Sequence, residues 1–232
     1  MPDRSKDSAL GVGIISPSER AVAISVIMST RNRARYLPDA LITLAAQQCD
    51  APFEVILIDN ASTDDTPALL KEWCRGDSRF RTAREPRLGL SRGKNAGIRM
   101  ACAPLLLFTD DDMRVEPHWV EAYHNFFVRR KDDLIVSGGP IVPIPHDLGR
   151  WPDWLEEHAL ADAGLLHHRE ERVLRQFEYV FGGNMAVPRR LFDQLGLWDE
   201  TAGLQGDEAM ILDDSEDFED TEFQDRDRKS VV

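Results

Sequence analysis

The chain contains no apolar run approaching the ~18 residues that cross a bilayer, so nothing in it reads as a transmembrane helix. Its opening segment, MPDRSKDSALGVGIISPSER, also lacks the apolar core of a leader or anchor. Peripheral contact with a membrane is left open. Positive charge is scarce: 28 Lys and Arg against 41 Asp and Glu give a formal charge of −13. That balance argues against nucleic acid as a partner. Cysteine is scarce too. Cys49, Cys74 and Cys102 are far apart with no C-x-x-C pairing, so buried, reduced thiols and a cytoplasmic setting are expected.

Glycine-rich phosphate loops are missing as well. GLSRGK (89–94) has one residue too few between its glycines for a P-loop, and Asn95 stands where Ser or Thr would touch Mg²⁺. GVGIIS near the start lacks the third glycine of a dinucleotide fingerprint. STRNRARYL has arginines but no glycine, which disfavours a nucleotidyltransferase. No internal repeat is present.

What is present is an ordinary apolar share, 42% of 232 residues, enough for one sizeable packed domain. Strand and helix patterns alternate. AVAISVIMST (21–30), FEVILIDN (53–60), RFRTARE (79–85) and PLLLFTD (104–110) read as strands. YLPDALITLAAQQ (36–48), STDDTPALLKEWC (62–74), SRGKNAGIRMAC (91–102) and PHWVEAYHNFFVRR (117–130) read as helices. Ser62, Thr63 and Asp64 are expected to cap the second helix, and Pro117 to open the fourth. This order predicts parallel βαβ units, a Rossmann-like α/β sheet flanked by helices. Prolines then break the pattern, and GRWPDWLEEHALADAGLLHHREE (149–171) reads as an irregular insertion. Its Trp151 and Trp154 suit packing or sugar stacking, and His167 and His168 suit solvent. QFEYVFGGNMAVPRRLFDQLGLWDE (176–200) predicts a strand, a Gly-Gly turn and a helix from about Pro188. The last 26 residues hold eleven acids and three bases.

In an open parallel sheet, ligands bind beyond the carboxyl ends of the strands. Three of those ends are polar here: STRNR, DNASTDD and TDDDM. Asp59 sits at a strand terminus, where a carboxylate can face a ligand. Asp110, Asp111 and Asp112 follow the apolar LLLF several residues before the next helix, so they are not caps. Three adjacent carboxylates repel one another and call for a positive partner. Asp-x-Asp beside a buried strand suits a hard divalent cation, Mg²⁺ or Mn²⁺, which takes oxygen ligands and keeps sites for substrate phosphates.

Six blocks occur in the order seen in family 2 glycosyltransferases: ISVIMSTRNRARYLPDALITLAAQ, FEVILIDNASTDDT, RLGLSRGKNAGIRMA, PLLLFTDDDMRVEPHWVEAY, FGGNMAVPRRLFDQLGLWDE and EDTEF. The chain resembles that family from about residue 22 to 226. The resemblance implies the A-type fold that binds nucleotide-diphospho-sugars, with a donor half at 21–130 and an acceptor half at 131–206. Residues 1–20 would be a disordered lead, and 207–232 an acidic end short of the family's usual length.

The same resemblance implies roles. Thr30, Arg31 and Arg33 would line the nucleotide, Asp59 would bind its base, and Gly89, Ser91, Arg92 and Asn95 would lie against it. Asp110 would sit near the ribose, with Asp111 between it and Asp112, and Asp110 and Asp112 would hold Mn²⁺ or Mg²⁺. Gly182, Gly183 and Asn184 would wall the acceptor side. Asp220, paired with Glu219 in EDTEF, would be the base that takes a proton from the acceptor hydroxyl. The implied reaction is an inverting transfer from a UDP-linked sugar, GDP and dTDP sugars being alternatives, to a hydroxyl acceptor. A binding module that keeps the donor half without turnover is the non-enzymatic alternative.

Overall fold

A computed structural model describes residues 22–130, 133–142, 171–174 and 180–201. The segments 1–20 and 207–232 lie outside the described residues, as do Trp151, Trp154, His167, His168, Glu219 and Asp220.

The first half alternates β1 (Ile24–Thr30), α1 (Leu37–Ala45), β2 (Phe53–Asn60), α2 (Thr66–Gly76), β3 (Phe80–Glu85), α3 (Leu90–Met100), β4 (Leu105–Thr109) and α4 (Trp119–Arg129). Then come β5 (Ser137–Gly138), β6 (Asn184–Pro188) and α5 (Arg189–Leu195). The described strands form one sheet in the order β3-β2-β1-β4-β6-β5. The first four are parallel, and β6 runs antiparallel to both β4 and β5.

Strand periodicity explains the layering. Ile24, Val26 and Met28 of β1, Val55 and Leu57 of β2, and Leu105 and Leu107 of β4 face one core with Leu37, Leu41 and Leu44 of α1, Leu70 of α2 and Val120 of α4. The intervening Ile27, Ile56, Ile58, Leu106 and Phe108 face the other, with Ile98 of α3, Leu191 and Phe192 of α5, and Trp198. Strands buried on both faces have no polar alternation, which is why they read as continuous apolar runs. Each such fully buried side chain contributes roughly 1.5–3 kcal/mol.

Helix α3 lies close on β1 through two glycines one turn apart. A Cβ at Gly93 would meet the Ser29 hydroxyl, and one at Gly97 would meet Ile27 Cγ2.

Several local expectations are corrected. Helix α4 starts at Trp119, two residues after Pro117. The preceding chain is held by α1's exit instead: Gln48 N–H donates to Pro117 O, and the Gln47 amide bonds both Glu116 O and Val120 N–H. Helix α2 starts at Thr66, where only Asp64 acts as a cap by accepting the Thr66 N–H. Ser62 and Thr63 instead bond Asn32, across the cleft. The strand expected before the Gly-Gly turn falls mostly outside the described residues, and a further strand, β6, follows the turn. The three thiols are half-buried, not buried.

Candidate active site

The chain leaves β1 toward β2 and β3 on one side and returns to β4 on the other. This reversal opens a crevice beyond the carboxyl ends of β1 and β4, the usual ligand position in such sheets. The Thr30 hydroxyl, at the end of β1, donates to Asp111 Oδ2 at 2.5 Å. Arg33 Nε lies 3.6 Å from Asp111 Oδ1. The middle aspartate of the run is therefore buried and ties the β1 exit to the β4 exit. Asn32, with φ of 53°, laces the same loop to the next: its N–H donates to Ser62 Oγ and its Oδ1 accepts from Thr63 N–H.

In the sheet register Thr30 pairs with Asp59, and Asp59 with Arg84. Asp59 is 3% exposed. Its Oδ1 accepts the Ser62 N–H at 2.9 Å, which the left-handed Ala61 (φ 59°) makes reachable. Its Oδ2 has no hydrogen-bond partner among the described residues. Arg84 Nη1 is 3.2 Å away as an ion contact, while Arg84 Nη2 donates to Ser62 O. The backbone of Ser62 thus positions both a buried acceptor and a half-exposed cation. Next to it, Asn60 accepts the Gly89 N–H and donates to Glu85 O and Arg87 O, which sets the turn into α3. Gly89 needs its φ of 137°, a conformation side chains disfavour. The Ser91 hydroxyl, in the first turn of α3, is buried without a partner among the described residues.

Asp110 is half-buried and Asp112 exposed. The Asp110 carboxylate lies against Gly183, where any Cβ would collide with it, so the Gly182–Gly183 turn and the aspartate run are in direct contact. Among the described residues no cluster of three or more His, Cys, Asp or Glu could cage a metal. The oxygen donors that Asp110 and Asp112 offer are of the type hard cations such as Mg²⁺ take.

Three expected contact residues make bonds within the protein. Asn184 Oδ1 accepts from Trp119 Nε1 and the Tyr123 hydroxyl, both at 2.8 Å, and its Nδ2 donates to Pro140 O. The amide joins β6, α4 and the chain after β5 instead of presenting a free edge. Burial pushes the Tyr123 phenol pKa well up and holds it protonated. Asn95 brackets the backbone of Trp198, donating to its O at 2.9 Å and accepting its N–H at 3.1 Å. Arg92 bonds the Glu200 carboxylate at 2.7 Å.

Arg84 and Glu200 carry much of this geometry, and neither was singled out from sequence. Both had a signal. Arg84 stands in the strand paired with the one that ends in Asp59. Glu200 closes the apolar LGLWDE opposite a helix with Arg92 and Arg99 seven apart on one face. Arg31 is half-buried at the crevice. No described helix is long and apolar enough to cross a membrane.

A family described as Glycosyl transferase family 2 matches residues 25–196. The hyaluronan synthase of Pasteurella multocida is 30% identical over 125 residues, 53% of this chain and 13% of that protein. Among solved structures, the mannosyltransferase PcManGT of Pyrobaculum calidifontis in complex with GDP-Man and Mn²⁺ superposes with a TM-score of 0.55 at 23% identity. It covers 81% of this chain and 50% of that one. S. aureus TarS 1–349 in complex with UDP-GlcNAc gives 0.56 at 19%, covering 78% and 50%. The shared architecture is the A-type glycosyltransferase fold. The chain spans half or less of these proteins, and it belongs to glycosyl transferase family 2.

Proposed function

We propose that this chain carries the donor-binding machinery of a glycosyltransferase that moves a sugar from a nucleotide-diphosphate sugar, UDP-linked, to an acceptor hydroxyl with inversion. The observation that carries the reading is the row of Asp59, Thr30 and the 110–112 aspartates along one crevice, with Asp59 Oδ2 buried and lacking a hydrogen bond. A buried acceptor without a donor is costly, and a base N–H would supply one.

Arg84 beside it neutralises the carboxylate and stays exposed enough to reach a ligand. Asp111 fixes Thr30 and Arg33 so that the β1 exit does not collapse into the crevice. Asp112 and Asp110 would hold Mn²⁺ or Mg²⁺, which when bound offsets negative charge on a departing nucleoside diphosphate. The contact between Asp110 and Gly183 supports an acceptor side that adjoins the donor mouth. Asp220, with Glu219 beside it, is our assignment for the base that takes the acceptor proton. It rests on EDTEF alone, since both lie outside the described residues. A carboxylate within hydrogen-bond reach of a hydroxyl is what such a displacement requires.

The support from relatives is that two structural neighbours are complexes with nucleotide sugars, one of them with Mn²⁺. Calorimetric titration of UDP, GDP and dTDP, each with Mn²⁺ and with EDTA, tests the donor assignment. Metal-dependent binding of one nucleotide is the expected result. Equal binding by the Asp112→Asn variant would remove the metal assignment, and absence of binding under all conditions would remove the function.

A further inference from the structure

Glu200 lies just beyond α5, and its carboxylate meets three guanidiniums. Oε2 is 2.7 Å from Arg92 Nη1 and 3.6 Å from Arg87 Nη1. Oε1 is 3.1 Å from Arg99 Nη2 and 3.4 Å from Asn95 Nδ2. Arg99 and the other guanidiniums hold this carboxyl below the usual range against a small burial cost. The backbone joins in: Arg92 Nη2 donates to Glu200 O, and Asn95 grips Trp198 on both sides. Trp198 packs edge-on against Phe108, with ring centroids 4.8 Å apart, two residues before Asp110.

Two of the cations flank one turn. Arg87 precedes and Arg92 follows the Gly89–Ser91 segment, where β3 passes into α3 beside Asp59. That turn is held from the sheet side by Asn60, which bonds Gly89 N–H and Arg87 O. It is held from the far side by Glu200, through Arg87 and Arg92. Arg99 touches the same carboxylate from a point two turns down the helix, 51% exposed and remote from the turn.

We propose that Glu200 is a positioning residue for the donor: by gripping Arg87 and Arg92 together it fixes the Gly89–Ser91 turn in the conformation that receives the nucleotide. This rests on the donor reading above. Without the carboxylate, Arg87 keeps its own pair with Glu85, while Arg92 and Arg99 lose their shared partner, so the tie that draws Arg87 and Arg92 together across the turn is gone.

The test compares Glu200→Gln, which keeps the shape, with Arg99→Gln, which breaks the same cluster away from the turn. UDP and GDP with Mn²⁺ are the probes, and titrations are run well below each variant's melting temperature. Glu200→Gln is expected to weaken binding of the preferred nucleotide about tenfold, the size of a lost charged hydrogen bond, with kcat at saturating donor changed less than about threefold. Arg99→Gln is expected to leave binding within about twofold, since exposed ion pairs contribute little. A purely structural clamp would lower melting temperature in both variants without separating their nucleotide affinities. Equal affinities for Glu200→Gln and the parent, or equal losses in both variants, would overturn the positioning role and leave the donor reading standing. A parent that binds neither nucleotide would overturn both.

Discussion

Strand β2 carries two buried carboxylates five residues apart, and the chain treats them in opposite ways. Glu54, near the amino end, is fully enclosed. Its Oε1 accepts from Ser25 Oγ and Cys102 N–H, both at 2.8 Å, and its Oε2 accepts from Arg81 Nη1 at 2.7 Å. Asp59, near the carboxyl end, has one N–H on Oδ1 and none on Oδ2. A buried ionised group is tolerated only when paired and hydrogen-bonded. At the amino end that rule is met in full, and nothing is left for a ligand. At the carboxyl end it is met by half: Oδ2 has the Arg84 ion contact at 3.2 Å and no hydrogen bond among the described residues. On the proposed donor reading, completeness of bonding separates the sheet's structural rim from its functional one.

The sharpest way to break this comparison is to remove Glu54. Glu54→Ala strands the Arg81 guanidinium and the Ser25 hydroxyl together, and breaking a buried pair in this way costs roughly 3–5 kcal/mol. Urea denaturation should show that loss, and a change below ~1 kcal/mol would mean the amino rim is not the structural one. Next in size is Gly93→Ala. The added methyl has no room against the Ser29 hydroxyl, so α3 must lift from β1. Overpacking of this kind costs about 1–3 kcal/mol, read as a lowered denaturation midpoint at unchanged slope.

Acid sharpens the same contrast. Burial opposes the charged form of Glu54, but the bonds from Arg81, Cys102 and Ser25 outweigh it and hold its pKa below the ordinary value. A depressed folded pKa gives stability that is full above the unfolded value, about 4.3, and lost as pH falls through the folded one. The stability difference between the parent and Glu54→Gln should therefore be constant near neutrality and shrink below about pH 4. A difference that grows on acidification would reverse the assignment.

The fold was legible because its signals are local. Apolar runs and helical spacing placed β1 to β4 and the helices between them, and polar residues at strand ends marked the crevice. The shortfalls share a cause: they depend on partners distant in the chain. Pro117 looks like a first helical residue until Gln47, 70 positions away, is seen bonding Glu116 O. Ser62 looks like a cap until Asn32 takes its hydroxyl. The bond from the Asn95 amide to Trp198, 103 positions away, is likewise invisible in its local spacing. Asp111, the middle acid of three, could not be told from its neighbours by composition, but its bond to Thr30 makes it the buried one.

The smallest expected change in stability belongs to the residue expected to matter most for binding. In Asp59→Asn the side-chain oxygen still accepts the Ser62 N–H, and Arg84, half-exposed, can be solvated once its ion contact goes. Such a pair is worth at most about 1 kcal/mol, so the denaturation midpoint should barely move. The nucleotide should respond differently. An amide NH₂ in place of Oδ2 turns the waiting acceptor into a donor facing a base N–H, and sites built for one hydrogen bond reject its inverse strongly. A loss of at least about a hundredfold in nucleotide affinity is expected with the fold intact. If Asp59→Asn instead unfolds the chain as Glu54→Ala does, the two carboxylates are alike and the carboxyl rim is structural. If it binds nucleotide like the parent, the unpaired oxygen is not where the base is read.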